Sequence, residues 1–302
     1  MLDSENCLHL IKQLSTSNVL KYPTNDPKSA RDSLLSFLSR SFGDDPDVAR
    51  LFVAHLVSRI DERNTGLINS LLIGYLPLNF KISEGSPSAL HELVSLLRPL
   101  LVSFSIDAVN LDSIQFPPGL DLETGTLKRG AFQLAQGTHI VLDETKLTAC
   151  NLSEKATVNL KALMDLLDHQ QVNIDFGFQS CQITVDYPIL SISNGKSIFS
   201  FPWSVSIKNF SCDPDSIEKS MLNNWRSYLE TCKASKVIID PDLASSLEQD
   251  YVRLRQECPG KFDEDHFASV LNLAKLLAKS DASQKLTFDH WSEALALRKY
   301  LQ

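Results

Sequence analysis

Apolar positions recur along this chain in two alternating periods, one near 3.6 and one near 2. Leu34, Leu35, Phe37 and Leu38 after Asp26-Pro27 predict a first helix that Gly43 stops. Val48, Leu51, Phe52, His55, Leu56 and Ile60 predict a second after Pro46. His55 falls on that apolar face, which reads as a packed core imidazole. Residues 67–74 read as a strand, 75–81 as a loop, and about 86–101 as a helix. Strand material follows over 104–116 until Pro117-Pro118-Gly119 interrupts it. Next, His139-Ile140-Val141-Leu142 runs straight into Asp143-Glu144. A short apolar run of this kind predicts a buried parallel strand that delivers carboxylates to the carboxyl edge of a sheet, where open α/β sheets bind ligands.

Beyond it, Leu160, Leu163, Met164 and Leu167 mark an amphipathic helix over 155–169. Two alternating runs, 172–176 and 181–185, flank Gly177 as a hairpin, and 188–195 is a further buried strand that reaches Asn194. A looser stretch with Pro202, Trp203 and Pro214 leads into an all-helical tail. Its helices carry Trp225, Tyr228 and Leu229, then Leu243, Leu247, Tyr251 and Leu254 after Asp240-Pro241, then Val270, Leu273, Leu276 and Leu277, and finally Trp291, Leu295 and Leu297. The aromatic residues fall on apolar stripes and read as core anchors.

This pattern predicts an α/β fold, a parallel sheet flanked by helices with a C-terminal all-helical part. The expected division is an extended segment over 1–26, an α/β core over 27–212 and a helical, lid-like domain over 213–302. A chain of 302 residues with 43% hydrophobic content can bury a core of that size. Lys+Arg 29 against Asp+Glu 37 gives a net charge of -8, which opposes direct binding to nucleic acid or to an acidic membrane surface. No apolar run approaches the roughly 20 residues that span a bilayer, and no secretory signal is visible, so no membrane association is expected. Cys7, Cys150, Cys181, Cys212, Cys232 and Cys258 lie far apart, without a CxxC pair or a His placed to complete a zinc site. They read as reduced packing residues, and no metal or cofactor is expected.

Strand, glycine, loop and helix around Gly74 form the layout of a phosphate-binding loop, but the chemistry departs from it. Such a loop needs GxxxxGK[ST], with glycines that let backbone N–H groups close on phosphate. Here Asn79 stands five positions after Gly74, and Lys81 is followed by Ile82. His91-Glu92 lacks the second His of an HExxH zinc site.

The run Leu127-x-x-Gly130-Ala131-Phe132-x-Leu134-Ala135-x-Gly137, followed by Asp143-Glu144, resembles the Walker B approach of the AAA+ core in mini-chromosome maintenance helicase subunits. Residues 169–174 resemble the entry to their pre-sensor hairpin, Asn194 falls at their sensor-1 position, and Trp225-Arg226-x-Tyr228 and the run from Glu248 to Arg255 resemble their lid. A closer resemblance is to the mini-chromosome maintenance complex-binding protein family. It rests on residues 137–145, Asn173-Ile174-Asp175-Phe176, Ser193-Asn194-Gly195-Lys196-Ser197 and the Trp291 segment, which are similar to the C-terminal half of that family.

The resemblance implies a degenerate AAA+-like core with vestigial Asp143, Glu144 and Asn194, and a degenerate phosphate-loop position at Gly74, Asn79 and Lys81. An active relative needs a phosphate-loop lysine, an arginine finger and often a lid arginine. No Arg occurs between Asp186 and Arg226 or over 263–279. A finger alone supplies about 10³ to 10⁵ in rate, so no catalytic residues are expected. The hairpin region 168–188 carries Asp168, Asp175 and Asp186 and no Lys or Arg, which repels phosphate. The implied function is that of a non-catalytic, nuclear partner of helicase subunits that regulates assembly, stability or unloading during DNA replication. The alternative is a weak ATPase that uses Asp143 and Glu144 with a phosphate loop supplied by a partner subunit.

Overall fold

The computed structural model describes residues 26–302 apart from 65–70, 83–86, 122, 149–150 and 258–261, so the expected segment 1–26 lies outside it but for Asp26. Helices α1 (Pro27–Ser41) and α2 (Pro46–Leu56) start where the Asp-Pro pairs predict. The Asp26 carboxylate accepts the Lys28 N–H at 3.0 Å, and that of Asp45 accepts those of Asp47 and Val48 at 3.0 and 3.2 Å. Each cap satisfies donors that the first helical turn leaves open.

The central sheet has five parallel strands. In chain order they are β3 (Leu78–Ile82), β4 (Leu101–Ser105), β7 (His139–Asp143), β10 (Ile189–Ser193) and β11 (Trp203–Ile207). Their spatial order is β11-β3-β10-β7-β4, all pairs parallel. Numbered along the chain within this sheet, that is 5-1-4-3-2. The predicted α/β class is therefore borne out. The Asp143 strand is interior, and β10 occupies the middle.

Two of these strands correct the sequence reading. Residues 75–81 are expected as a loop, yet Leu78, Phe80 and Ile82 are buried on one face of β3 while Asn79 and Lys81 take the other. The polar residues interrupt the apolar run in period 2, which is strand periodicity. Trp203–Ile207, expected within a looser stretch, alternates in the same way. The helix expected over 86–101 is α3 (Pro87–Leu97), and it ends before Pro99, whose ring disfavours helical geometry in the preceding residue. Within 104–116 the strand stops at Ser105, and α4 (Ala108–Ser113) follows, capped by Asp107.

One sheet face packs Leu78, Phe80, Val141, Leu190, Trp203 and Val205 into a core shared with α1, α2 and α3. The same core includes side chains from α6 (Lys219–Ala234), α7 (Pro241–Glu257), α8 (Glu264–Ser280) and α9 (Phe288–Leu297), the four predicted tail helices. On the other face, Phe104, Ile140, Leu142 and Ile189 pack against α5 (Glu154–His169) and a cluster of Phe116, Phe132, Phe199 and Phe201.

Two smaller sheets complete the fold. Strands β1 (Glu62–Asn64) and β2 (Leu71–Ile73) pair antiparallel. The other contains β5 (Gly119–Asp121), β6 (Thr126–Lys128) and the expected hairpin β8 (Gln171–Asp175) and β9 (Ser180–Thr184), in the order β6-β5-β8-β9.

Ion pairs join the tail helices to the α/β part. Lys279 in α8 is 1% exposed, and its Nζ donates to both oxygens of Asp61 at 2.9 and 2.8 Å. Asp61 itself reaches solvent, so the two halves of the pair are unequal. Asp61→Asn strands a buried ammonium and is expected to cost about 3 kcal/mol, whereas Lys279→Met leaves a carboxylate that water can solvate and is expected to cost about 1 kcal/mol. Denaturant midpoints of the two variants check the order.

Candidate functional site

The carboxyl edge of the central sheet is built by the ends of β3, β7 and β10. Glu144 lies directly after β7 and is 5% exposed. Its carboxylate accepts hydrogen bonds from the Ser191 hydroxyl, from Ser197 Oγ at 2.6 Å and from the Ile198 N–H at 2.9 Å. Those donors belong to β10 and to the connection that leaves it. Asp143 is engaged locally, since its Oδ1 accepts the Thr145 N–H at 3.0 Å and the Thr145 hydroxyl at 2.6 Å. Asn194 donates from Nδ2 to the Thr145 carbonyl at 3.0 Å. The three residues singled out from the sequence are therefore brought to one edge, where Glu144 and Asn194 bind the loops after β7 and β10 to each other while Asp143 holds its own turn.

Gly74, Asn79 and Lys81 do not form a loop around an anion. Gly74 sits in the turn after β2 at φ +90, where its N–H donates to Asn272 Oδ1 of α8 at 2.7 Å. A Cβ there would meet the Arg59 carbonyl oxygen at 2.1 Å, so the close approach requires glycine. Asn79 and Lys81 are strand residues. The position between β3 and the following helix, where a phosphate loop would lie, falls at residues 83–86, outside the described residues.

Sequence reasoning missed what Asn79 does. Ser191 and Ser204 flank Asn79 in register, and Ser193 and Ser206 flank Lys81. Asn79 Nδ2 donates to Ser204 Oγ at 3.1 Å, and Ser193 Oγ donates to Asn79 Oδ1 at 3.1 Å and to the Gly195 carbonyl at 2.9 Å. The result is a polar ladder across three parallel strands, on a face that parallel sheets ordinarily bury under apolar side chains. The signal was available in the sequence, since LNFKI, ILSIS and WSVSI all place small or polar residues at alternate positions.

Among the described residues the connection 194–202 from β10 to β11 is short and contains no helix. A cleft of about 980 Å³ opens there, with Asn79, Lys196, Ser197, Ser200, His266 and Ser269 among its lining. Asp168 and Asp265 also line it, so the wall carries both charge signs. Such a wall does not select an anion. No group of His, Cys, Asp or Glu among the described residues has the arrangement of a metal site.

A second polar cluster occupies the amino edge of the same sheet. His55 at the end of α2 and His139 at the start of β7 are fully buried, with ring centroids 5.2 Å apart and planes at 88°. His55 Nδ1 contacts the Leu76 carbonyl at 2.7 Å, while His55 Nε2 and both nitrogens of His139 find no partner among the described residues. Burial pushes the His55 imidazole down to about 4 and that of His139 well below its usual range, and the cations Arg98 and Lys233 lower both further. The packed reading of His55 holds; its pairing with His139 was not legible, because the two are joined only by tertiary structure.

These features define a class, an α/β core on a five-stranded parallel sheet whose edge carboxylates are tied up in hydrogen bonds to its own loops, with four helices packed onto one face. The chain belongs to the mini-chromosome maintenance replisome factor family, whose model matches residues 2–300. It is 28% identical over 280 residues to the mini-chromosome maintenance complex-binding protein of Arabidopsis thaliana, covering 90% of this chain and 46% of that protein. It is 26% identical over 283 residues to the protein of that name in Danio rerio, covering 89% and 44%, and 24% identical over 283 residues to that in Homo sapiens, covering 88% and 43%. The chain thus spans less than half the length of these curated relatives.

Proposed function

We propose that this protein binds subunits of the mini-chromosome maintenance helicase and acts on their assembly, stability or unloading without turning over nucleotide. The names of its relatives support the partner, and the strand order 5-1-4-3-2 supports a body shaped like a helicase subunit's own core. The observation that carries the non-catalytic part is Glu144. A carboxylate that polarises water beside a magnesium ion must offer oxygens to them, and those of Glu144 are occupied by Ser191, Ser197 and Ile198. The weak-ATPase alternative needs the same oxygens and is disfavoured for that reason. The net charge of -8 supports protein contact over direct contact with nucleic acid. A nuclear location is part of the same proposal, since DNA replication is where the helicase acts.

Immobilised protein is expected to retain one or more purified helicase subunits at moderate salt. Retention of none would overturn the proposal. Titration with magnesium-ATP, alone and with the retained subunit present, is expected to show no binding that Asp143→Ala removes; binding lost in that variant would restore the ATPase reading.

A further inference from the structure

The four-stranded sheet has two unlike edges. At one end, β6 is three residues long, contains Lys128 and is followed by Arg129, the short charged form in which natural sheets protect an edge. At the other end, β9 is Ser180-Cys181-Gln182-Ile183-Thr184, five residues, all exposed, with neither charge nor proline. By the same physics this edge is unprotected.

Hydrogen bonds at its two ends fix which backbone groups face outward. Phe176 N–H donates to the Gln179 carbonyl at 2.9 Å, and Val185 N–H donates to the Gln170 carbonyl at 2.9 Å. Antiparallel pairing alternates bonded and non-bonded residues, so Cys181 and Ile183 turn their backbone groups to β8. Ser180, Gln182 and Thr184 turn theirs to the open side.

The side chains show the same incompleteness. Val172 and Ile174 of β8 are buried, and their cross-strand neighbours are Ile183 and Cys181. The apolar row thus runs outward and stops on β9 with Ile183 45% exposed. Phe178, in the turn joining the two strands, is 84% exposed. One exposed carboxylate, Asp175, stands at one end of the edge, opposite Ser180.

We infer that β9 is a docking edge that takes an extended segment of the helicase partner as an added strand, one with alternating apolar residues and a basic residue towards the end that meets Asp175. The inference rests on the helicase-binding reading and names the surface that serves it. Main-chain bonds to Ser180, Gln182 and Thr184 supply pairing, the apolar alternation continues the row beyond Ile183 and Cys181, and the Asp175 carboxylate selects a basic residue over an acidic one.

The test uses a helicase subunit that the wild-type chain retains and two variants. Gln182→Pro removes an outward N–H that has no ladder partner in β8, a position at which an edge strand tolerates proline. Ile183→Lys places a charge in the apolar row and interrupts it. Both are expected to weaken binding at least about tenfold with an unchanged circular dichroism spectrum, and where one variant fails to fold the other carries the test. Unchanged affinity in a folded variant would overturn the docking edge and leave the helicase reading intact. Failure of the wild type to retain any subunit would overturn both. A wild-type dimer in sedimentation that becomes monomeric in Gln182→Pro with unchanged subunit affinity would assign the edge to a second copy of this chain, and so overturn the inference.

Discussion

Lowering the pH from about 6.5 to about 5 is expected to remove roughly 3 kcal/mol of folding stability, through the two buried imidazoles at the amino edge of the sheet. In the unfolded chain His55 and His139 bind a proton near pH 6.5. In the folded chain burial and the neighbouring cations Arg98 and Lys233 hold both neutral to lower pH, His55 to about 4. The unfolded state therefore binds more protons throughout this window, and stability rises with pH. It is complete above about pH 6.5 and declines below it, each imidazole contributing at most about 1.4 kcal/mol per pH unit. Asp281 acts in a different window. Burial alone would raise its pKa, but hydrogen bonds from His290 and Arg50 hold it well below the usual range, so its contribution is lost only in stronger acid. Urea denaturation at pH 7, 6 and 5 checks the slope. The double variant His55→Gln, His139→Phe is expected to flatten it, because neither replacement takes up a proton.

Glu144→Ala is expected to destabilise the fold by about 4 kcal/mol without altering any nucleotide turnover. Ser191 is wholly buried and Ser197 is partly buried, so both hydroxyls and the Ile198 N–H would lose an acceptor with restricted access to water. Each orphaned donor costs about 1 to 3 kcal/mol. Glu144→Gln retains one acceptor oxygen and is expected to lose about half as much. A catalytic carboxylate behaves in the opposite way, since its amide commonly folds well and loses rate. Thermal midpoints together with phosphate release, measured on the same variants, distinguish the two roles.

Much of the fold was legible because most elements bury one face and signal it at a single period. The Asp-Pro helix starts, the 155–169 helix, the hairpin and all four tail helices emerge from such patterns and appear in the structure. Two of the failures share one cause. In β3 and β11 the second face carries polar residues, so Asn79, Lys81, Ser204 and Ser206 make the strands resemble loops when hydropathy is read as a run. The candidate site was half legible for the same reason. Asp143, Glu144 and Asn194 end recognisable strands, whereas the serines that bind Glu144 and the Asn79 ladder depend on the register among β3, β10 and β11. His55 and His139 are separated by most of the α/β part, and nothing local in sequence joins them.

The way the tail helices attach has a mechanical consequence. Arg50 of α2 reaches Asp281 after α8 at 2.8 Å and Glu293 of α9 at 2.6 Å, Trp225 of α6 donates to Ser33 of α1 at 3.3 Å, and Asn272 of α8 holds both Gly74 and the Tyr75 carbonyl at 2.7 Å. A motor subunit converts nucleotide state into displacement by letting one part swing against another, which requires an interface cheap enough to open. Here opening would expose the core and unpair these charges together. An attachment of this kind favours one shape over a cycle between shapes.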